Sequence, residues 1–76
     1  MELDEYRVLW DSDTMNWDIA HVDRGVIGAV WPDESGRFEA KAIHNGAGVP
    51  VAQVWTFKAA VEQVIWYDRA MNQEVE

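Results

Sequence analysis

The side chains able to do chemistry in this chain are few: two histidines, two serines and a scatter of carboxylates. His21 and Asp23 stand two apart and His44 closes another alternating stretch, so a His–His–Asp cluster is the one metal arrangement these residue types offer. A zinc site needs ligands at short, regular spacings that close a tetrahedron, and none is present. Asp11-Ser12-Asp13 opens like a calcium loop, but Met15 stands where a third oxygen ligand belongs and no Gly follows. Nucleophilic catalysis needs a hydroxyl beside a base and an orienting group. Ser12 and Ser35 lie among turn residues, whose local hydrogen bonding accounts for them. Asn45-Gly46-Ala47-Gly48 lacks the Lys-Ser/Thr of a phosphate cradle, and Pro50 intervenes before any helix. Carboxylate pairs suited to acid–base work occur throughout so acidic a chain, and their proximity along it discriminates nothing. No catalytic residue, metal ligand set or cofactor site emerges, and the expectation is a protein that is not an enzyme.

Charge is the stronger signal. Fourteen acids against six bases leave a net charge of −8 over 76 residues. Asp4, Glu5, Asp11, Asp13, Asp18 and Asp23 concentrate the excess in the N-terminal third, and they are the candidate partner-binding residues. Such a surface repels nucleic-acid phosphate and anionic lipid and attracts a protein with a basic surface, including a nucleic-acid-binding complex. The same charge also serves plain solubility. The chain has no cysteine, which suits a reducing compartment. No apolar run approaches the roughly 20 residues of a membrane span, and the start lacks the basic-then-apolar pattern of a signal peptide. A cytoplasmic protein is expected, in the host cytoplasm if the source is a phage.

The elements that carry these residues follow from periodicity. Tyr6, Val8 and Trp10 alternate with Arg7 and Leu9, and Met15, Trp17, Ile19 and His21 alternate with Asn16, Asp18, Ala20 and Val22. Together with segments 26–31 and 37–44 these read as four strands, over about 6–10, 15–22, 26–31 and 37–44. Asp23-Arg24-Gly25 and Pro32-Asp33-Glu34-Ser35-Gly36 are hairpin turns. Gly28 inside a strand marks a bulge or the close approach of a bulky neighbour. Asn45-Gly46-Ala47-Gly48 reads as a flexible loop, and Val49 to Val54, interrupted by Pro50, as an extended connection or short edge strand. A helix over about 56–72 places Phe57, Ala60, Val61, Val64, Ile65 and Met71 on one arc, with Thr56 as N-cap. The fold class is α+β in one small domain: a four-stranded antiparallel β-meander with one C-terminal α-helix packed on one face. Trp17, Ile19, Val30 and Phe38 should meet Phe57, Val61, Val64 and Ile65. Arg7, Asp18, Glu39 and Lys41 should face solvent from the other side of the sheet.

Two helix residues break the pattern. Asp68 falls inside the apolar arc, so it is either wet or paired with a base such as Arg7, His21 or His44. Trp66 points away from Phe57. Either the 46–54 loop covers it, with Val51 or Val54 on the indole, or it meets a second copy or another partner, where one tryptophan can dominate an interface.

The helical stretch FKAAVEQVIWYDRAM resembles the helix of the plant ethylene-response-factor DNA-binding domain, which reads DNA with arginines and tryptophans on its sheet. Here only Arg7, Arg37 and Lys41 are offered by the strands, among acids, so direct nucleic-acid binding is not expected. VWPDESGRFEA before a helix resembles HicB-type antitoxins, which share a Pro-Asp…Gly hairpin. By profile the chain is similar to small phage-encoded counter-defence proteins, anti-CRISPR proteins among them, some of which present carboxylates as phosphate surrogates. That profile implies an inhibitor occupying a basic nucleic-acid-binding surface. The alternative expectation is a small bacterial regulator or antitoxin-like domain acting as a homo-oligomer, with a homodimer through the Trp66 face.

Overall fold

Alternating apolar and polar residues from Tyr6 to His21 close into the first hairpin of an antiparallel sheet in the computed structural model, which describes residues 5–72. Strand β1 is Tyr6–Asp11, β2 Asn16–His21, β3 Gly25–Pro32, β4 Phe38–His44 and β5 Ala47–Val54; helix α1 is Phe57–Met71. The strands lie in the order β1-β2-β3-β4-β5, a meander in which each pairs with its neighbour in sequence. The fold is α+β, but the sheet has five strands and not the expected four.

The fifth strand comes from a turn. Asn45 (φ 54°) and Gly46 (φ 82°) both take positive φ, and two such residues form the tight hairpin loop whose twist matches the flanking strands. Ala47 then pairs with His44, and the ladder runs on to Phe38↔Val54. Pro50 is tolerated because β5 is an edge strand, where a missing N–H costs no ladder bond. Val51 is bulged out beside it, since Ala40 faces Ala52 and Lys41 faces Pro50. Strand β2 also differs at its ends from the expected 15–22. Met15 has φ 58° and belongs to the preceding loop, and Val22 falls just past the end of β2, its N–H still donating to the Glu5 carbonyl at 2.9 Å in continuation of the ladder.

Thr56 caps α1, its hydroxyl accepting from the Ala59 N–H at 3.1 Å. The helix lies over β3, β4 and β5. Ala60, Val61, Val64 and Ile65 bury against Ile19, Ile27, Val30 and Ala40, with Tyr6 at one end. At Gly28 the helix packs directly on the strand: a methyl there would lie 2.5 Å from Val64 Cγ1. Of the two readings of Gly28, close approach is the direct one, and the bulge falls beside it, leaving Ile27 unopposed between Ile19↔Gly28 and Ala20↔Val26. Trp17 and Phe57 pack at the rim of the core, half-buried. Met71 does not join the core as its place on the arc suggested. It stays exposed near the end of the helix, one turn past Asp68, on a cleft of mixed apolar and polar lining. On the opposite face Arg7 and Lys41 are exposed and Asp18 and Glu39 half-buried. Leu9 and Ile43 stand exposed among them, so that face is mixed and not purely polar.

Candidate partner-binding surfaces

A meander sends alternate turns to opposite ends of the sheet, and this sorts the charges. The β1–β2 loop, the β3–β4 turn and the β5–α1 junction share one end. That end carries Asp11, Asp13, Asp33 and Glu34, with Asp18 and Glu39 within three residues of it on their strands. Asp11 accepts the Asp13 N–H at 2.9 Å, which fixes the loop. Asp33 organises its turn: one carboxylate oxygen accepts from the Ser35 hydroxyl (2.6 Å), the Ser35 N–H (2.8 Å) and the Arg37 N–H (3.1 Å). The other accepts from the Gln53 amide at 2.8 Å and so ties the turn to β5. Bonding from the Ser35 hydroxyl, then from Gln53, holds the Asp33 carboxyl well below the usual carboxylate range.

Aromatic rings share this end. Trp10 and Trp17 lie 4.7 Å apart, Trp17 meets Phe57 edge-on at 4.8 Å, and Phe38 meets Phe57 at 5.8 Å. Trp10, Met15 and Trp55 nonetheless stay about half exposed or more, Trp55 at 66%. The bases at this end are Arg37 and Lys58, and neither is ion-paired with a carboxylate among the described residues. Arg37 lies over Trp55 (4.6 Å), Lys41 over Trp31 (5.8 Å) and Arg69 over Tyr6 (5.6 Å). Arg24 pairs with Asp68, and Arg7 donates to the Tyr6 carbonyl. Among the described residues no base lies within ion-pair distance of Asp11, Asp13, Asp18, Glu34 or Glu39. Carboxylates without ion-pair partners beside the exposed Trp10 indole can receive lysine and arginine side chains, by charge-assisted hydrogen bonds and by cation–π contact, while the Trp55 ring already carries Arg37.

The opposite end holds a buried polar network. Asp68 is 7% exposed. It accepts from the Tyr6 hydroxyl at 2.9 Å and from Arg24, while Asn72 donates to its second oxygen at 3.3 Å. The carboxylate is therefore paired, as burial requires, but with Arg24 and none of the bases the sequence suggested. Burial, then the hydrogen bond to Asp68, pushes the Tyr6 phenol above its ordinary value. His21 accepts the Asp23 N–H on Nδ1 at 3.1 Å, which puts its ring proton on Nε2, 3.5 Å from Glu5. Arg24 at 3.4 Å from Nε2 then finds no lone pair there and makes no hydrogen bond to the ring. Clefts of about 330 and 310 Å³ flank the Arg24 side chain.

Of the acids singled out by sequence, Asp11, Asp13 and Asp18 come together. Glu5 and Asp23 lie at the other end, and Asp4 is outside the described residues. The N-terminal third therefore does not form one acidic patch, because the first hairpin carries its acids at both ends. Asp33, Glu34 and Glu39 complete the acidic end, and alternation of turns in a meander was the signal that could have found them. Trp66 is 72% exposed on the flank of α1. No loop covers it: residues 47–54 are held in the sheet as β5, where Pro50 and Val51 share a shallow groove with Trp66. His21, Asp23 and His44 do not converge. His44 packs its ring against Tyr67, and among the described residues no group of three or more His, Asp or Glu side chains is placed to hold a metal ion. No described helix is long and apolar enough to cross a membrane.

No known protein family, characterised protein or solved structure matches the chain.

Proposed function

We propose that the chain is a non-enzymatic, acidic protein-binding domain that sets its carboxylate-and-tryptophan end against the basic nucleic-acid-binding surface of a partner protein. The closest functional profile is that of a phage-encoded counter-defence inhibitor of anti-CRISPR type, acting in the host cytoplasm. One observation carries the reading. Five of the six basic side chains lie on aromatic rings, on Asp68 or on a backbone carbonyl, and the sixth, Lys58, is exposed on the first turn of α1; among the described residues none is ion-paired with Asp11, Asp13, Asp18, Glu34 or Glu39. A charge left uncompensated in this way steers a partner of opposite sign and discriminates against others.

The test is capture from bacterial lysate on immobilised protein, comparing the wild type with the triple variant D13N, D18N, E34Q. The wild type should retain nucleic-acid-binding proteins that rising salt or added single-stranded DNA displaces. The triple variant should retain far less. Equal retention by both proteins would overturn the reading. A second reading, a small bacterial regulator or antitoxin-like domain working as a homo-oligomer, is favoured by the bare indole of Trp66. Loss of self-association in W66A, seen by sedimentation, would support it.

A further inference from the structure

The two edges of the sheet are built differently. Strand β5 carries Pro50 and the bulged Val51, devices that discourage another strand from pairing. Strand β1 has neither. Its six residues pair with β2 in unbroken register, from Tyr6↔His21 to Asp11↔Asn16. Its outer edge meets no strand among the described residues.

The direction of that edge can be read from one bond. The Glu5 carbonyl accepts from Val22 at 2.9 Å, so odd-numbered residues turn their backbone groups to β2. By two-residue alternation, Tyr6, Val8 and Trp10 turn theirs outward. Arg7 confirms it by donating to the Tyr6 carbonyl at 3.1 Å, a side chain standing where a neighbouring strand would. The helix lies chiefly over β3 to β5 and meets β1 and β2 only near its ends, which leaves Val8 half-buried and Trp10 49% exposed on the inner face of β1.

We propose that a second copy of this chain pairs antiparallel with β1 about a two-fold axis at Leu9, joining the two sheets into one. Facing residues of an antiparallel pair share a sheet face, so only odd–odd and even–even registers are open. With the axis at Leu9, Arg7 faces Asp11 of the second copy and Asp11 faces its Arg7. Leu9 meets Leu9, and Val8 meets Trp10 on the inner face. The outward N–H and C=O groups of Val8 and Trp10 then bond across the axis. The Arg7–Asp11 pairs fall at the non-hydrogen-bonded positions, where side chains approach most closely. The neighbouring registers are worse. An axis at Val8 sets Glu5 against Asp11, one at Arg7 sets that arginine against itself, and one at Trp10 sets Asp11 against Leu9. Within β1 only the Leu9 axis pairs opposite charges; Glu5 and Asp13 fall opposite one another there, but beyond the strand ends.

Sedimentation velocity over a concentration series tests this, with circular dichroism to check that each variant is folded. The wild type should dimerise with increasing concentration. R7E and D11R should each dimerise on the order of tenfold more weakly, since each turns two attractive pairs into two repulsive ones. An equimolar mixture of R7E and D11R should recover dimer, because both facing pairs are then opposite in sign. Should D11R fail to fold, L9K replaces it: a lysine facing its own copy on the axis must weaken the dimer. A wild type that stays monomeric throughout, an R7E that dimerises like the wild type, or a mixture no better than its components would overturn the proposal.

Discussion

Replacing Gly28 by alanine tests how α1 is seated on the sheet. At an unconstrained strand position the change should help, because alanine loses less backbone freedom on folding, by about 0.5–1 kcal/mol. Here the added methyl would lie 2.5 Å from Val64 Cγ1 and closer still to the Lys41 carbonyl oxygen. Val64 is fully buried and Lys41 O belongs to the backbone of β4, so neither can step aside without moving the helix or the ladder. Overpacking of this kind costs typically 1–3 kcal/mol and sometimes more, and a net loss of about 2 kcal/mol is expected. For a domain of this size that lowers the melting temperature by roughly 8–16 °C. The second arm is V64A, which removes two carbons from a fully buried site and should cost about 2 kcal/mol in lost burial and cavity. The double variant should fall short of the sum by about 1 kcal/mol, because removing the Val64 methyls relieves one of the two clashes. Urea titrations followed by tryptophan fluorescence measure all three. A G28A protein as stable as the wild type, or losses that simply add, would mean that the helix does not rest on Gly28.

Two further predictions concern pH. Tyr6 is protonated more tightly folded than unfolded, so its contribution is complete below the unfolded value of about 10 and is lost as pH rises through the higher folded value. Stability should decline above about pH 10, whereas Y6F should lose about 1.5–3 kcal/mol at neutral pH and show a shallower alkaline decline. An equally steep decline in Y6F would refute the assignment. Asp33 has the opposite sign: its folded value is depressed, so its contribution is present above the unfolded value of about 4 and disappears as pH falls through the folded one. D33N should melt below the wild type at neutral pH, with the gap narrowing under acid. A gap constant with pH would show that the turn does not depend on the carboxylate charge.

What the sequence determined was local. Alternation over Tyr6 to His21, the Pro32–Gly36 turn and the apolar arc from Phe57 to Ile65 are written in neighbouring residues, and each formed as read. The fifth strand was legible too, since Asn-Gly between extended segments is the strongest short hairpin signal. Pro50 obscured it, because a proline argues against a strand unless that strand is known to lie at an edge, and edge position is a property of the whole sheet. Asp68 shows the same division. Its place on the apolar arc announced a buried carboxylate, but its partner Arg24 lies 44 residues away in sequence, in a loop whose position depends on β2, β3 and the helix end together. The acids divided likewise. Composition counted them, while strand direction, reversed at every turn, sent Asp11, Asp13, Asp33 and Glu34 to one end and Glu5 and Asp23 to the other. Periodicity is a one-dimensional record of which face a residue occupies; which residues meet across faces and at ends is set by chain reversals, and those exist only once the chain has folded.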